Sequence, residues 1–315
     1  MGGKVAKRFD AVGIGRCCVD YLALVPSLPP PDAKVPMKDF RVVGGGQATT
    51  AMAALSRLGL KTAYVGVVGD DRGGRLVLSG LEEFGVDVSS VVIEKGGETP
   101  AALIFVDQAA HTRTIAYQPT APGRLSLSAV DPEFILSGRC LLVDPHETLF
   151  GLEIAPAAKE RCIPLIYDAE HPTEGFAEML AAADYVVGSR EVVETLGASG
   201  VEDALEKILS AGPKAAVITL GDRGAAALTP EGIFRRPAFP VEVVDTTAAG
   251  DAFHAGFAYA VLQGWDMART LDFANALGAL VCRGLGGRET LPALSEVREF
   301  INSGDTLLNS RGRSL

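Results

Sequence analysis

The residues best suited to chemistry lie in one short stretch, residues 245–251, which reads Asp-Thr-Thr-Ala-Ala-Gly-Asp. A valine-rich run at 241–244 suggests a strand before it, and an apolar helical pattern follows it. A short turn between strand and helix leaves backbone N–H groups free at the helix N-terminus, where the helix dipole favours anions such as phosphate. Asp251 in the first helical turn could act as a general base or simply cap the helix, and this stretch alone leaves both roles open.

Glycines mark a second candidate site. Gly44, Gly45 and Gly46 precede a helix of small residues that ends at Gly59, and Asp20 follows the first predicted strand. Such glycines let a backbone approach a ligand closely, although many βα units contain one. The sequence contains neither G-x-G-x-x-G nor G-x-x-x-x-G-K-[ST], which disfavours a dinucleotide-binding fold and a P-loop NTPase.

The composition indicates a globular protein with a large core. Of 315 residues, 48% are hydrophobic and 36 are Gly, which suits a fold with many βα turns. The net charge of −10 argues against nucleic acid or an anionic membrane as the main partner, but not against a phosphate held by backbone donors. With no apolar run of membrane-spanning length and no signal-peptide pattern, we expect a cytoplasmic protein. The five cysteines lack metal-type spacing and are interpreted as core thiols.

Alternating strands and helices would position these stretches. Buried strands are expected at 9–15, 62–69, 86–93, 140–143, 164–167, 185–187, 215–219 and 225–228. Helical patterns lie between most of them. This alternation is typical of a mostly parallel sheet covered by helices on both faces, with ligands at the carboxyl ends of its strands.

One segment departs from the alternation. Residues 101–117 contain two β-rich runs around a polar turn, which predicts a hairpin in a small separate sheet. We therefore expect a single α/β domain over residues 1–302, with lid segments at about 16–42 and 98–120. A flexible polar tail is expected over 303–315.

Taken together, three stretches resemble the PfkB (ribokinase-like) family of sugar and nucleoside kinases. Residues 245–251 resemble its C-terminal signature Asp-Thr-x-Gly-Ala-Gly-Asp, and the glycines at 44–45 with the helix ending at Gly59 resemble its N-terminal signature. Residues 219–224 resemble the family's nucleotide turn, Thr-x-Gly-x-x-Gly. Their order and spacing fit the family from about residue 9 to residue 300. The resemblance implies a ribokinase-like α/β fold, with a mostly parallel central sheet flanked by helices and a small β lid.

The resemblance implies roles in catalysis. Asp251 would accept the proton of the substrate hydroxyl, while the N–H groups of Ala248, Ala249 and Gly250 would stabilise the transferring γ-phosphate of ATP. An Asp at a helix N-terminus is expected to stay ionised at neutral pH. Mg²⁺ would bridge the nucleotide phosphates with few protein ligands, and Glu191 would either contact it through water or lie on the helix surface. The family also allows monovalent-cation dependence, which no local residue decides.

The resemblance likewise implies binding residues. Asp20 would bond the hydroxyls of the sugar, and Gly44, Gly45 and Thr49 would line its site. Arg113, at the tip of the lid hairpin, would contact the substrate or carry an ordinary solvated charge. The residues bordering the nucleotide would be Thr219, Gly221, Gly224, Thr246 and Asn275.

Four positions depart from the family pattern. Ala248 replaces the first glycine of the anion hole, and its Cβ opposes a positive φ, so a right-handed conformation would preserve phosphate contact best. Thr49 and Cys18 each replace an Asn on the sugar side, so the substrate of this protein cannot be assigned from familiar members of the family. The Asn-x-x-Glu segment near the metal begins with Gly188.

The other polar residues are interpreted as structural. His254, three residues after Asp251, shares a helix face with it and is expected to pack or to form hydrogen bonds. Asp144 and Glu147 follow a strand end and are assigned to an ordinary βα loop.

We expect an ATP-dependent kinase that phosphorylates a hydroxyl of a small, ketohexose-like sugar. The sugar side has no cluster of Arg or Lys, which disfavours a phosphorylated sugar. One alternative is a nucleoside kinase of the same fold, with Tyr117 and Phe105 as the available stacking residues. The other is a catalytically silent sugar- or nucleotide-binding protein, because of Ala248. Exposed edges of the lid sheet suggest a homodimer in which two lids pair.

Overall fold

The computed structural model describes residues 7–118 and 123–311, with side chains as far as 303. The strands, in chain order, are β1 (Phe9–Ile14), β2 (Cys18–Val25), β3 (Asp39–Gly45), β4 (Thr62–Val65), β5 (Val67–Gly69), β6 (Val92–Glu94), β7 (Ala101–Asp107), β8 (Thr112–Tyr117), β9 (Gly138–Val143), β10 (Leu165–Asp168), β11 (Tyr185–Ser189), β12 (Ala215–Thr219), β13 (Ala225–Thr229) and β14 (Gly232–Arg236). The helices are α1 (Gln47–Arg57), α2 (Arg72–Glu83), α3 (Pro132–Leu136), α4 (Thr148–Glu160), α5 (Phe176–Ala182), α6 (Glu191–Thr195), α7 (Val201–Ala211), α8 (Ala249–Gln263), α9 (Met267–Val281) and α10 (Leu294–Arg311).

An eight-stranded sheet in the order β14-β13-β12-β11-β10-β9-β1-β4 forms the centre of the molecule. From β4 to β12 every neighbouring pair is parallel, whereas β13 and β14 are antiparallel additions at one edge. Two large hydrophobic clusters bury its strands, which explains why strands such as β12 read as continuous apolar runs. The predicted mostly parallel sheet is confirmed.

A second sheet, in the order β3-β2-β7-β8, forms the lid. The predicted hairpin is confirmed as the antiparallel pair β7–β8. Side chains alternate between the two faces of each strand, and Leu22, Ile104 and Val106 form a buried cluster with Leu285. Because Asp20 lies two residues before Leu22 on β2, it is on this same inner face.

Several elements differ from expectation. The strand expected at 62–69 is divided at Gly66, where a Cβ would collide with the Tyr64 hydroxyl and the Gly15 carbonyl, and β5 pairs instead with β6. Only the end of the run expected at 86–93 is a strand. The valine run before residue 245 is no strand either, because the Val244 N–H bonds the Cys282 carbonyl beyond α9.

The last helix extends beyond the predicted end of the domain. Helix α10 continues through Arg311, past the boundary predicted at residue 302. The remainder of the predicted tail, 312–315, and residues 119–120 of the second predicted lid segment lie outside the described residues. Within the described part of the chain, no helix is both long and apolar enough to cross a membrane.

Helix α8 has the candidate base in its first turn and then runs through the interior. Its residues 252–260 are all buried, so it is apolar on every side rather than amphipathic. Gly256 brings it close to α9, since a Cβ there would lie 2.8 Å from the Ala274 Cα. This packing fixes the N-terminus of α8 relative to the rest of the core.

Candidate active site

The 245–251 turn is organised by a buried carboxylate. Asp245 is 2% exposed. Its oxygens accept hydrogen bonds from the Thr247 N–H (2.8 Å), the Thr247 hydroxyl (2.7 Å) and the Gly286 N–H (3.1 Å). The turn therefore has a fixed shape before any ligand arrives, as an anion-binding turn requires.

Ala248 is left-handed, with φ 63° and ψ 6°, rather than right-handed. This conformation costs an L-residue about 1–2 kcal/mol. The fold makes room for its methyl group at Gly287, where an ideal Cβ would lie 2.0 Å from the Ala248 Cβ. Of the three N–H groups predicted to form the anion hole, that of Ala249 donates to the Thr246 carbonyl over 3.3 Å. The N–H of Gly250 lies in the first turn of α8, where helix geometry provides no intrahelical acceptor.

Asp251 lies in that first turn and is partly exposed. Burial, together with the nearby carboxyls of Asp168 and Glu170, raises the pKa of its carboxyl to about 7, while His254 and Arg113 oppose the shift. Near neutral pH the carboxyl of the free protein is therefore partly protonated, whereas the helix dipole alone predicts a fully ionised group. A base with a pKa near 7 is well matched to accepting a proton under those conditions.

His254 joins α8 to the central sheet, in agreement with its predicted hydrogen-bonding role. Its Nδ1 donates to the Gly250 carbonyl over 2.8 Å. Its Nε2 lies 3.2 Å from the Val187 carbonyl and 3.4 Å from an Asp168 carboxylate oxygen. These contacts fix the first turn of α8 against the carboxyl ends of β10 and β11.

Sequence reasoning missed the acidic group beside Asp251. Asp168 ends β10, is 2% exposed, and accepts a hydrogen bond of 3.1 Å from the Gln47 side chain, which also bonds Glu170. A usable signal was present, since Asp168 directly follows the strand predicted at 164–167. The neighbouring Asp144 is also fully buried, and its carboxylate accepts the Arg16 N–H over 2.8 Å, so its role is structural.

One cavity of about 420 Å³ opens at the N-terminus of α8. We call it the α8 cavity. Apolar side chains such as Phe239 and Val243 form much of its wall, with Ala249 and Gly250 at its α8 end. Its lining includes every residue predicted to border the nucleotide, namely Thr219, Gly221, Gly224, Thr246 and Asn275. Asn275 supports this wall, since its side-chain amide donates to the carbonyls of Arg236 (3.2 Å) and Pro237 (3.1 Å).

On the lid side, Asp20 and Arg113 face the active site. Asp20 is 9% exposed, accepts a hydrogen bond from the Cys18 thiol over 3.0 Å, and occupies the space that a side chain at Gly45 would fill. Arg113 lies within β8 rather than at the hairpin tip, and its guanidinium donates to the Thr246 carbonyl. This contact connects the lid to the 245–251 turn, so Arg113 is more than a solvated charge.

Two predicted sugar-site residues point elsewhere. Thr49 is fully buried, and its single hydroxyl hydrogen is shared by the Gly45 and Gly46 carbonyls, each 2.8 Å away, so it offers no donor to a ligand. The side of Gly44 where a side chain would lie faces Arg288, since a Cβ there would be 2.6 Å from the Arg288 Nη1. Adjacent residues of a strand face opposite sides, so only Gly45 of the pair lies beside Asp20.

The metal side is less defined. Glu191 begins α6 and is exposed, just beyond the carboxyl end of β11. Among the described residues, no three His, Cys, Asp or Glu side chains are grouped so that they could hold a metal ion. A Mg²⁺ ion that keeps its waters and binds mainly to phosphates does not require such a group.

Known proteins resemble this chain over most of its length. The profile of the pfkB family carbohydrate kinases matches residues 9–294. The chain is 32% identical to the ATP-dependent ribose-1-phosphate kinase of Halopiger xanaduensis, covering 90% of this chain and 95% of that protein. It is 29% identical to the 5-dehydro-2-deoxygluconokinase of Shouchella clausii, covering 94% and 96%.

Solved structures agree. The ribokinase of Thermotoga maritima superimposes with a TM-score of 0.79 at 25% identity, covering 93% of this chain and 99% of that one. The ribokinase of Arabidopsis thaliana, solved with ribose and ATP, gives 0.79 at 24% identity, covering 93% and 98%, which supports the fold alone. With the fold, the family profile and the relatives in agreement, the chain belongs to the pfkB family of carbohydrate kinases and is a phosphotransferase acting on an alcohol group.

Proposed function

We propose that this kinase transfers the γ-phosphate of ATP to a hydroxyl of a small, ketohexose-like sugar, with Asp251 as the general base. The observation that carries the proposal is the position of Asp251. It follows Gly250, which lines the α8 cavity, and the charge of Arg113 on the inner face of the lid acts on it. A carboxylate between a nucleotide cavity and a lidded polar site is placed to take a proton from an acceptor hydroxyl.

The α8 cavity fits a nucleotide. Its volume of about 420 Å³ is within the range of small-ligand sites, and its apolar wall with a few polar groups suits a base and a ribose. No Lys or Arg is among its lining residues within the described chain. The phosphates would therefore rely on backbone N–H groups at the start of α8. Mg²⁺, when bound with the nucleotide, supplies the remaining charge neutralisation, and Glu191 stays a candidate for a contact through water.

The sugar would lie under the inner face of the lid. The Asp20 carboxylate can accept hydrogen bonds from sugar hydroxyls, and Arg113 has guanidinium N–H groups beyond the one that bonds Thr246. The lid would exclude water from the transfer step. Phe105 lies on the outer face of the lid sheet, because the residues on either side of it belong to the buried inner cluster. The nucleoside alternative thus keeps only Tyr117 as a stacking residue.

The charge of the sugar that the site accepts depends on the cations near Asp20. The sequence has no cluster of Lys or Arg on the sugar side, which disfavours a phosphorylated sugar, yet folding brings Arg113 to the same side as Asp20. Two of the relatives are named for a ribose 1-phosphate and for a dehydrodeoxygluconate. A substrate panel therefore needs neutral ketohexoses, sugar acids and sugar phosphates side by side.

The test is release of ADP from MgATP over that panel, with nucleosides included. We expect turnover on a sugar, and a loss of about 10³-fold in Asp251→Asn, in keeping with removal of a general base. ATP binding, measured by calorimetry, should be retained in the variant. Absence of substrate-dependent ADP release on every compound would overturn the activity, whereas full turnover in Asp251→Asn would overturn only the base.

We also propose that a second copy of the chain covers the lid. The outer face of the lid sheet exposes Tyr21 (37%), Phe40 (50%), Val42 (37%) and Leu103 (52%). Tyr21 is paired with both Val42 and Leu103 across the sheet, so these side chains form one apolar patch. Sedimentation should show a dimer at micromolar concentration and a monomer for Leu103→Lys. A monomeric wild-type protein would remove the proposal.

Two expectations stay predictions. Monovalent-cation dependence is one. Backbone carbonyls could bind such a cation, but those of Thr246 and Leu285 beside the 245–251 turn accept hydrogen bonds from Arg113 and Arg41. Activity in sodium and in potassium buffers decides it. The cytoplasmic location is the other, and cell fractionation tests it.

A further inference from the structure

The segment 285–288 packs against the 245–251 turn. The Gly286 N–H donates to the Asp245 carboxylate over 3.1 Å. Gly287 fits against Ala248 with no room for a side chain. Any displacement of this segment would therefore also displace the turn that precedes Asp251.

Arg288 extends from the same segment to the sugar side. Its Nη2 donates to the Gly45 carbonyl (2.8 Å) and the Thr49 hydroxyl (2.6 Å), and its Nε donates to the Thr50 hydroxyl (3.2 Å). Gly45 lies directly beside the Asp20 carboxylate. One arginine thus connects the turn of the anion hole with the strand end and helix start that hold the sugar residues.

The charge of Arg288 is poorly explained by stability alone. The side chain is 5% exposed, and its Nη1 is buried with no hydrogen-bond partner in the described chain. An unpaired buried N–H costs about 1–3 kcal/mol, and more on a charged group. A guanidinium retained here is better explained by what its charge and its three hydrogen bonds do for the site.

The charge of Arg288 acts most strongly on the carboxyl of Asp20. Asp20 is the first of the charged or thiol groups acting on Arg288, ahead of Cys18, Cys17 and Asp251. Burial raises the pKa of the Asp20 carboxyl, and the Cys18 hydrogen bond, the Arg288 guanidinium and Arg113 oppose that shift. The guanidinium behind Gly45 therefore favours the ionised form of Asp20, the form that accepts hydrogen bonds from hydroxyls.

We propose that Arg288 is a positioning residue for the sugar: it orients Asp20 and the 45–50 segment against the 245–251 turn. This inference rests on the proposed function, because it takes the sugar site to lie at Asp20 and Gly45. The α8 cavity does not include residues 285–288 in its lining. Loss of Arg288 should therefore affect the sugar and spare the nucleotide.

The test compares Arg288→Met, Arg288→Lys and Arg57→Met. Arg57 is a matched control, being an exposed arginine in the last turn of α1 whose Nε bonds only a backbone carbonyl at 3.4 Å. We expect Arg288→Met to raise KM for the sugar at least tenfold, with KM for MgATP within twofold and with a Tm that stays above the assay temperature. Arg288→Lys should recover part of the loss, since an ammonium restores the charge but not the forked geometry. Arg57→Met should match wild type.

Three results would overturn the inference: an unchanged sugar KM in Arg288→Met, an equal deterioration of sugar and ATP parameters, or a fall in Tm that accounts for all lost activity. If wild type turns over no sugar, the proposed function fails separately. Hydrogen exchange then still decides the role of Arg288. Arg288→Met should increase exchange in residues 44–50 and leave the β12 core unchanged, and an unaltered 44–50 segment would exclude the positioning role.

Discussion

The contact between Gly287 and Ala248 makes a quantitative prediction about the anion hole. An ideal Cβ on Gly287 would lie 2.0 Å from the Ala248 Cβ, whereas carbon atoms in contact lie about 3.5–4.0 Å apart. Gly287→Ala must therefore separate the two backbones by about 1.5–2 Å. Misplacement of catalytic groups by 1 Å can cost about 100-fold in rate. We expect kcat to fall at least about 100-fold, which corresponds to about 2.7 kcal/mol.

The double variant Ala248→Gly with Gly287→Ala isolates this contact. Without the Ala248 methyl group, the nearest atoms to the new Cβ are the Thr247 carbonyl oxygen at 3.2 Å and the Ala248 Cα at 3.3 Å, and small shifts relieve these contacts. Activity should return to within about tenfold of wild type. Ala248→Gly alone should stay active and should gain up to about 1 kcal/mol in stability, because glycine adopts φ 63° without strain.

The assay is steady-state release of ADP with saturating sugar, combined with thermal denaturation. Gly80→Ala serves as the control, since a Cβ there meets nothing within 4 Å. Two results would refute the reasoning. One is near-wild-type kcat in Gly287→Ala, and the other is a double variant no more active than Gly287→Ala, because the lost activity would then not arise from the collision with Ala248.

Three further predictions concern the base and the nucleotide. First, kcat/KM should fall as the pH drops below about 7, because Asp251 must be ionised to accept a proton and its pKa is raised to about 7; a profile that is flat through that range would contradict this. Second, Asp168→Asn should move the midpoint of that profile to lower pH, because Asp168, whose own pKa is raised by burial, raises the Asp251 pKa when it is ionised; an unmoved midpoint would show that Asp168 does not act on the base. Third, Asn275→Ala should raise the Kd for ATP about tenfold or more while leaving KM for the sugar unchanged, because two hydrogen bonds to the cavity wall are lost; isothermal titration with ATP measures the Kd, and unchanged affinity would count against the role of Asn275.

The sequence was sufficient to predict those features that depend on the pattern of neighbouring residues. The glycine-rich turn and the apolar helix after it predict Asp251 in the first turn of α8, and the structure has it there. The alternation of apolar strands and helices predicts the mostly parallel sheet, and two β-rich runs around a polar turn predict the β7–β8 hairpin. Turn chemistry and hydrophobic periodicity are properties of neighbouring residues, so they can be read without the fold.

Predictions from neighbouring residues failed where the folded surroundings of a residue outweighed its local preference. The helix dipole favours an ionised Asp251, but burial and two nearby carboxylates outweigh it and raise the pKa. Thr49 has the right position in the motif, yet its hydroxyl is bonded to backbone carbonyls inside the core. The valines before residue 245 have β propensity but no partner strand, and their chain bonds the end of α9 instead.

By itself, the sequence determined the family signatures, the order of the main elements and the identity of the candidate base. Only the tertiary structure decided which groups surround that base. Arg288 and Thr49 meet across 239 positions of the chain, and Arg113 and Thr246 across 133. No periodicity or turn rule predicts such pairs, because they form when separate elements pack around a common core. The charge balance around Asp251 and the space for the Ala248 methyl group are consequences of that packing.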